Sequence, residues 1–216
     1  KEDIVLKVNK ENLMLLHEIE FYNSKEFPNV SFRPATTSES ISFIGFDENH
    51  FKSWAKPNIL DPNWAQLGYI LKTSEGVYIN PLDAKGNLII EEELLKLMLN
   101  KAEKVNEIYF GKNDFVFVPY ETFKQAKQDN REFSEGGLAR GLEFSRGKIA
   151  EKLKIISSKK FYKNGINVLG FNEVDEPVLR VASLGSDRGI DSLMLDFVGD
   201  GWDDCRDGYA FGVNTC

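Results

Sequence analysis

The chain has 216 residues, of which 42% are hydrophobic and 28% are charged, and its formal net charge is -7. This length fits one large globular domain or two small ones, and the acidic balance argues against nucleic acids and anionic membranes as partners. The apolar runs are only a few residues long, so we expect no helix inserted in a membrane.

Strand and helix patterns alternate in the first half of the chain. Short apolar runs around Thr-Ser-Glu-Gly and around Gly-Lys-Asn-Asp predict two hairpins. Three glutamates that suit a helix N-terminus open one predicted helix. The predicted elements are a strand at Ile4–Val8, a helix at Asn12–Phe21, a strand at Ile41–Phe46, the hairpin of Gln66–Lys72 and Gly76–Asn80, a helix at Glu91–Ala102, and the hairpin of Glu107–Phe110 and Phe115–Val118.

Two helix patterns followed by short strands fill the second half. Helices followed by strands with glycine-rich connections predict an α+β fold with a mainly antiparallel sheet. The predicted elements are a helix at Pro119–Asn130, a glycine-bearing loop at Glu135–Gly141, an amphipathic helix at Leu142–Ser157, and strands at Ile166–Leu169, Val178–Leu184, Leu193–Val198 and Tyr209–Val213.

Residues that could carry catalysis are scarce. We interpret the two histidines, His17 and His50, as surface or satisfied core residues, and the chain has no serine-nucleophile elbow and no histidine-based zinc motif. Cys205 and Cys216 fit no metal motif, and both two free thiols and a bridge between them stay open. We therefore expect no catalytic residue, no metal and no cofactor.

The last thirty-four residues have an unusual charge composition. Ser183–Cys216 contains seven Asp and two Arg but no Lys, Glu or Gln, whereas the preceding residues contain 20 Lys and 20 Glu against 7 Asp and 5 Arg. At the earlier density, drawing no Lys or Glu here has a chance of about one in several thousand. Because solvated loops and strands accept Lys and Glu readily, folding alone does not require this bias.

Side-chain alternation divides the predicted strand in this tail into two sets. Leu193, Leu195 and Phe197 share one face and are expected to point to the core. The other face is expected to point to solvent. We also expect Trp202 to anchor the following loop and Ala210 to be buried in the last strand. The set predicted to face solvent consists of Ser192, Met194, Asp196 and Val198.

Three stretches of the tail resemble a known family. Arg180–Ser186 (RVASLGS), Leu193–Phe197 (LMLDF) and Gly208–Val213 (GYAFGV) are similar to the C-terminal region of variable proteins of diversity-generating retroelements, the archaeal and viral branch in particular. The resemblance covers roughly residues 115–213. It implies an α+β, C-type lectin-like fold related to that of formylglycine-generating enzymes, with residues 1–110 as an N-terminal α/β elaboration and residues 111–216 as the ligand-binding region.

The family's mechanism would explain the bias in the tail. In that family, adenines of a template repeat are randomised during reverse transcription, mostly in adenine-adenine-pyrimidine codons. Such codons cannot become Lys, Glu, Gln, Met or Trp, and only Met194 and Trp202 fall outside the accessible set in Ser183–Cys216. The resemblance thus implies a variable segment at about residues 185–209.

The implied function is non-enzymatic recognition of a protein or surface ligand, at a virion or cell surface. The aspartates make the surface negative, which would favour a cationic ligand. A calcium-dependent, carbohydrate-binding lectin stays open, although the EF-hand pattern is absent; a formylglycine-generating enzyme is disfavoured because its cysteine pair has no counterpart. The predicted ligand-binding residues are Asp187, Arg188, Ile190, Asp191, Ser192, Asp196, Val198, Asp200, Asp203, Asp204, Cys205, Arg206, Asp207 and Tyr209.

Overall fold

The computed structural model describes residues 4–8, 32–41, 44, 64–83, 87–143, 165–185, 195–200 and 208–214. In this part of the chain, twelve strands and a few short helices are arranged around one sheet. The strands are β1 (Ile4–Val8), β2 (Phe32–Pro34), β3 (Trp64–Lys72), β4 (Gly76–Ile79), β5 (Glu103–Val105), β6 (Ile108–Phe110), β7 (Val116–Pro119), β8 (Lys127–Gln128), β9 (Ile166–Leu169), β10 (Val178–Gly185), β11 (Leu195–Val198) and β12 (Gly208–Asn214). The helices are α1 (Glu92–Asn100), α2 (Asn130–Glu135) and α3 (Gly137–Glu143), and residues 37–41 are also helical.

The strand order is β5-β6-β7-β4-β3-β10-β11-β9-β8, and β12 joins β3, β1 and β2. Among the described strands, β9 with β11 and β3 with β12 are parallel pairs, and the other pairs are antiparallel. The sheet is therefore mixed and mainly antiparallel, in agreement with the sequence. Strands from both sides of residue 110 are hydrogen-bonded to each other, since β10 pairs with β3 and β12 with β1. The functional division at residue 110 stays a prediction.

Apolar side chains cover both faces of the central sheet. In β4 and β7, Val77 and Val118 belong to one buried cluster, while Tyr78 and Phe117 belong to the other. Because alternate residues of a strand point to opposite faces, the two clusters lie on opposite sides of the sheet. The first cluster receives Phe133 of α2, Leu138 and Leu142 of α3, and Ile41 and Ile44; the second receives Leu95 of α1.

Most predicted strands are confirmed, and so are both hairpins and the helix α1. The strands β3 and β4, and likewise β6 and β7, pair antiparallel and flank the two predicted turns. The predicted helix at Asn12–Phe21 and most of the one at Leu142–Ser157 lie outside the described residues. Within those residues, no helix is long and apolar enough to cross a membrane.

The predicted strand at Ile41–Phe46 is wrong where it is described. Residues 37–41 and 44 are helical, with Ile41 and Ile44 fully buried. Thr36 and Glu39 explain the helix: the Thr36 N–H donates to Glu39 Oε2 at 2.9 Å, and the Glu39 N–H donates to Thr36 Oγ1 at 3.3 Å. This reciprocal capping box starts a helix whose apolar residues are one turn apart.

The predicted helix at Pro119–Asn130 is also wrong. Pro119 ends β7 with ψ of 145°, a single 3-10 turn follows at Tyr120–Thr122, and α2 begins only at Asn130. Asp129 caps α2, since its side chain accepts hydrogen bonds from the N–H groups of Arg131 and Glu132 at 2.8 Å. A proline therefore marks the end of a strand here, not the first turn of a helix.

The predicted loop at Glu135–Gly141 is largely the helix α3. Its glycines serve close packing. A Cβ on Gly137 would lie 2.1 Å from Thr122 Oγ1, and a Cβ on Gly141 would lie 2.9 Å from a Val118 methyl group. These glycines let the helix approach β7 and the turn that follows it. A glycine-rich stretch that resembles a loop is therefore compatible with a helix.

Candidate functional site

The predicted variable segment enters and leaves the sheet through β10, β11 and β12. Across the sheet, Gly208 lies beside Trp64, Ala65 lies beside Leu184, and Gly185 lies beside Asp196. Neighbouring strands are about 4.8 Å apart, so the start of β12 and the start of β11 are separated by about 14 Å across three strand spacings. The connection 186–194 therefore begins and ends close to the point where the connection 201–207 ends.

Asp200 lies at the opposite end of the sheet. It follows β11, and its carboxylate contacts Lys72 at the last residue of β3. The four residues of β11 span about 13 Å, so the connection from Asp200 to Gly208 joins the two ends of the sheet. Three of the four strand ends that flank the two predicted variable connections therefore lie at the sheet end at Trp64, Gly185 and Gly208, which we call the connection end.

Two cationic side chains, those of Lys72 and Arg180, lie beside the Asp200 carboxylate. The Lys72 side chain is 5% exposed and donates to Gly170 O at 3.0 Å and to Asp200 Oδ1. Arg180 Nε lies 3.6 Å from the same oxygen, and the Asp200 side chain is 44% exposed. Because an ammonium group is costly to bury without a counter-charge, Asp200 and the Gly170 carbonyl compensate for the burial of Lys72.

The backbone around Asp200 is equally confined. The Gly199 N–H donates to Leu169 O at 2.8 Å. Gly170 has a φ of +70°, and a Cβ there would lie 2.8 Å from the Asp200 nitrogen. Glycine at position 170 is therefore needed twice, for the left-handed backbone and for the approach of Asp200.

Aromatic residues pack beneath this end of the sheet. Phe171 and Phe197 are fully buried, and their rings meet edge to face with centroids 5.1 Å apart. The Tyr120 hydroxyl donates to Asn172 O at 3.1 Å. Burial, and then the negative charges of Glu173 and Asp200, raise the pKa of Tyr120 to about 12. This phenol therefore stays protonated, and able to donate a hydrogen bond, to a higher pH than an ordinary tyrosine.

Two of the predicted solvent-facing residues are buried. Asp196 is 7% exposed and Val198 is 1% exposed, so the expectation that they face solvent is wrong. The strand β11 lies between β10 and β9 and is buried on both faces, so alternation does not expose one side. Asn167 Nδ2 donates to Asp196 Oδ1 at 2.8 Å across the parallel β9–β11 pair, and this contact stabilises the buried carboxylate. Leu195 and Phe197 are buried as predicted.

Most of the predicted site residues lie outside the described part of the chain. For Tyr209, the backbone is described, and it pairs with Lys7 of β1 and Ala65 of β3. The remaining residues stay predictions. Those outside the described residues are Asp187, Arg188, Ile190, Asp191, Ser192, Asp203, Asp204, Cys205, Arg206 and Asp207, together with Met194 and Trp202.

Lys72 is a site residue that the sequence did not indicate. Its one signal is a charge at the end of the apolar strand Tyr69–Lys72, and that pattern is also typical of a strand that ends in solvent. Arg180 belongs to one of the stretches that carry the family resemblance, but its contact with Asp200 is not visible in the sequence. Among the described residues, no group of three or more His, Cys, Asp or Glu side chains is placed to hold a metal ion.

Comparison with known proteins identifies the fold. No protein-family model and no curated protein sequence matches the chain. One solved structure is similar over 99% of this chain and 98% of the other chain, with a TM-score of 0.54 and 14% sequence identity. Its description concerns the accommodation of massive sequence variation in Nanoarchaeota by the C-type lectin fold. At this identity the likeness shows the fold alone: the chain is an α+β protein with the C-type lectin fold.

Proposed function

We propose that this chain is a non-enzymatic ligand-binding protein whose recognition surface is diversified by a retroelement. The observation that carries the proposal is the absence of Lys, Glu and Gln from Ser183–Cys216. The described strands support the proposal, because three of the four strand ends that flank the two connections inside this segment lie at the connection end of the sheet. The similar structure concerns massive sequence variation in the C-type lectin fold, which supports the same proposal.

Diversification requires a framework that does not depend on the varied residues. Here β10 and β11 supply Leu184, Leu195 and Phe197 to the main core, all at most 1% exposed. Substitutions on connections outside such a core usually change the free energy of unfolding by about 0.5 kcal/mol or less. A rigid sheet with two varied connections can therefore present many surfaces at constant stability.

The experiment that tests this function is to sequence the DNA around the gene. We expect a near-copy of the segment that encodes residues 185–209, with adenines at the codons of the predicted ligand-binding residues in the two connections, beside a reverse transcriptase gene. A complete genomic neighbourhood without such a repeat would remove the main support for the proposal, because the codon explanation of the bias would then have no source.

The ligand of this particular copy is proposed to be cationic. The displayed residues outside the described part contribute five aspartates against Arg188 and Arg206, a net charge of -3. Opposite charge on the ligand would accelerate association and favour the complex. An oligolysine peptide is a suitable probe, and the variant Asp203→Asn, Asp204→Asn, Asp207→Asn should bind it more weakly at low salt.

The matched control removes the same charge from another surface. Glu91, Glu93 and Glu103 are exposed in and around α1 and β5, and their joint replacement by Gln also raises the net charge by three. Weaker binding of oligolysine in the Asn variant alone would support the proposal. Equal binding by the two variants would show that only overall charge matters and would contradict a local cationic site.

Calcium discriminates a calcium-dependent lectin from the proposed function. A metal that binds the native state raises the unfolding midpoint by mass action. We expect the midpoint to be the same with calcium and with a chelator. A midpoint that rises with calcium concentration would favour the lectin.

A further inference from the structure

Asp200 lies inside the predicted variable segment, but its surroundings are those of a framework residue. Its carboxylate contacts the buried Lys72 ammonium and lies 3.6 Å from Arg180 Nε. The preceding residue, Gly199, donates its backbone N–H to Leu169 O at 2.8 Å. These partners come from β3, from β10 and from the end of β9, so three strands determine where the connection to β12 starts.

We infer that Lys72, Arg180 and Asp200 form an anchor that fixes the start of the connection 201–207, and that position 200 therefore does not tolerate diversification. The inference rests on the proposed function, because it divides a segment taken to be variable. It makes Asp200 a positioning residue for the displayed surface and removes it from the set of ligand contacts.

The charge balance explains why an acid is required. Lys72 has two described partners for its ammonium group, the Gly170 carbonyl and Asp200. A neutral residue at position 200 would leave a lysine that is 5% exposed beside Arg180, without a carboxylate from the described part of the chain in contact. Removing the counter-charge of a buried ammonium group is destabilising, although less than for a fully buried ion pair because the Asp200 side chain is 44% exposed. Replacing both partners by uncharged residues is often tolerated.

Size and backbone restrict position 200 further. A Cβ built on Gly170 would be 3.1 Å from the Asp200 Cβ and 3.2 Å from Asp200 Oδ2, so the Asp200 side chain fills the space beside this glycine. The Glu side chain is one methylene longer and would have to bend to bring its carboxylate to the same place. We therefore expect Asp to be strongly preferred and Glu to be a partial substitute.

The test compares two saturation libraries that need no ligand. One library carries all residue types at position 200 and the other carries all types at position 203, which is also Asp in this chain. Both are displayed on cells and sorted for resistance to protease. At position 200 we expect Asp to be enriched roughly tenfold or more, a ratio that corresponds to a free-energy difference of about 1.4 kcal/mol. At position 203 we expect no preference.

A second background separates the ion pair from other constraints at position 200. In Lys72→Met, the buried charge is gone and Arg180 remains 3.6 Å from Asp200 Oδ1, so the preference for Asp at position 200 should fall well below that in the parent chain. In Lys72→Arg, the charge is kept and the preference should persist. If Lys72→Met gives no folded protein with any residue at position 200, the ion pair with Asp200 is not what makes Lys72 necessary, and the anchor is contradicted.

The outcomes distinguish this inference from the proposed function. A flat distribution at position 200, equal to that at position 203, overturns the anchor and leaves the proposed function intact. Strong selection at both positions supports the anchor but contradicts a diversifiable connection, and hence the proposed function. Enrichment of Asp at position 200 in Lys72→Met that is as strong as in the parent chain also overturns the anchor.

Discussion

Replacing Asp196 by Ala tests whether this residue belongs to the framework and not to the recognition surface. The Asp196 carboxylate is 7% exposed and accepts a hydrogen bond from Asn167 Nδ2 at 2.8 Å. A hydrogen bond to a charged group contributes about 1.5–3 kcal/mol. Asn167 is half-buried, so water can replace part of the loss at its amide group. We therefore expect Asp196→Ala to lower the free energy of unfolding by about 2–3 kcal/mol.

Urea denaturation followed by tryptophan fluorescence and circular dichroism measures this change. For a chain of this size, about 2–3 kcal/mol corresponds to a fall of roughly 5–10 °C in the thermal midpoint. The matched control is Asp203→Ala, which removes the same side chain from the predicted displayed set and should change the free energy by about 0.5 kcal/mol or less. If the two variants are equally stable, Asp196 is not held as a framework residue, and the burial of β11 on both faces is refuted.

Three further predictions concern the two cores and the surface. Phe197→Ala, which removes the ring that packs against Phe171, should cost about 3–5 kcal/mol in urea denaturation, and a cost below about 1 kcal/mol would contradict its place in the core. Burial raises the pKa of Tyr78 to about 12, while a phenol in the unfolded chain ionises near pH 10; stability should therefore fall as the pH rises from about 10 to 12, and Tyr78→Phe should reduce that fall in pH-dependent denaturation. Leu97→Lys on the exposed side of α1 should change the free energy of unfolding by about 0.5 kcal/mol or less, whereas Leu95→Ala on the buried side should lower it by about 2–5 kcal/mol. Equal effects of the two variants would contradict the packing of α1 against the sheet through Leu95.

Local patterns account for the parts of the fold that the sequence predicted. The hairpin β3–β4 needs only two apolar runs and the turn between Lys72 and Gly76, in which Thr73 Oγ1 donates to Gly76 O at 2.9 Å. Helix α1 likewise needs its acidic start and the apolar spacing of Leu95 and Leu99. Such elements depend on neighbours in sequence, so composition and periodicity are sufficient to identify them.

The failures have a different cause, which is contact between distant parts of the chain. The alternation in β11 predicted one solvated face, but a strand between two others with helices nearby is buried on both faces. Lys72 and Asp200 are 128 residues apart, and no local pattern shows that one is the counter-charge of the other. The site could therefore be located along the chain from its composition, whereas the division between framework and displayed residues required the structure.

Amplicon sequencing of the gene from its source population tests the central claim most directly. If the chain displays a diversified surface, substitutions should concentrate in codons 186–194 and 201–209 and be rare in codons 195–200, which encode β11, Gly199 and Asp200. Varied positions should include no Lys, Glu or Gln. Substitutions spread evenly over the chain, or variants that carry Lys and Glu in the two connections, would contradict the account.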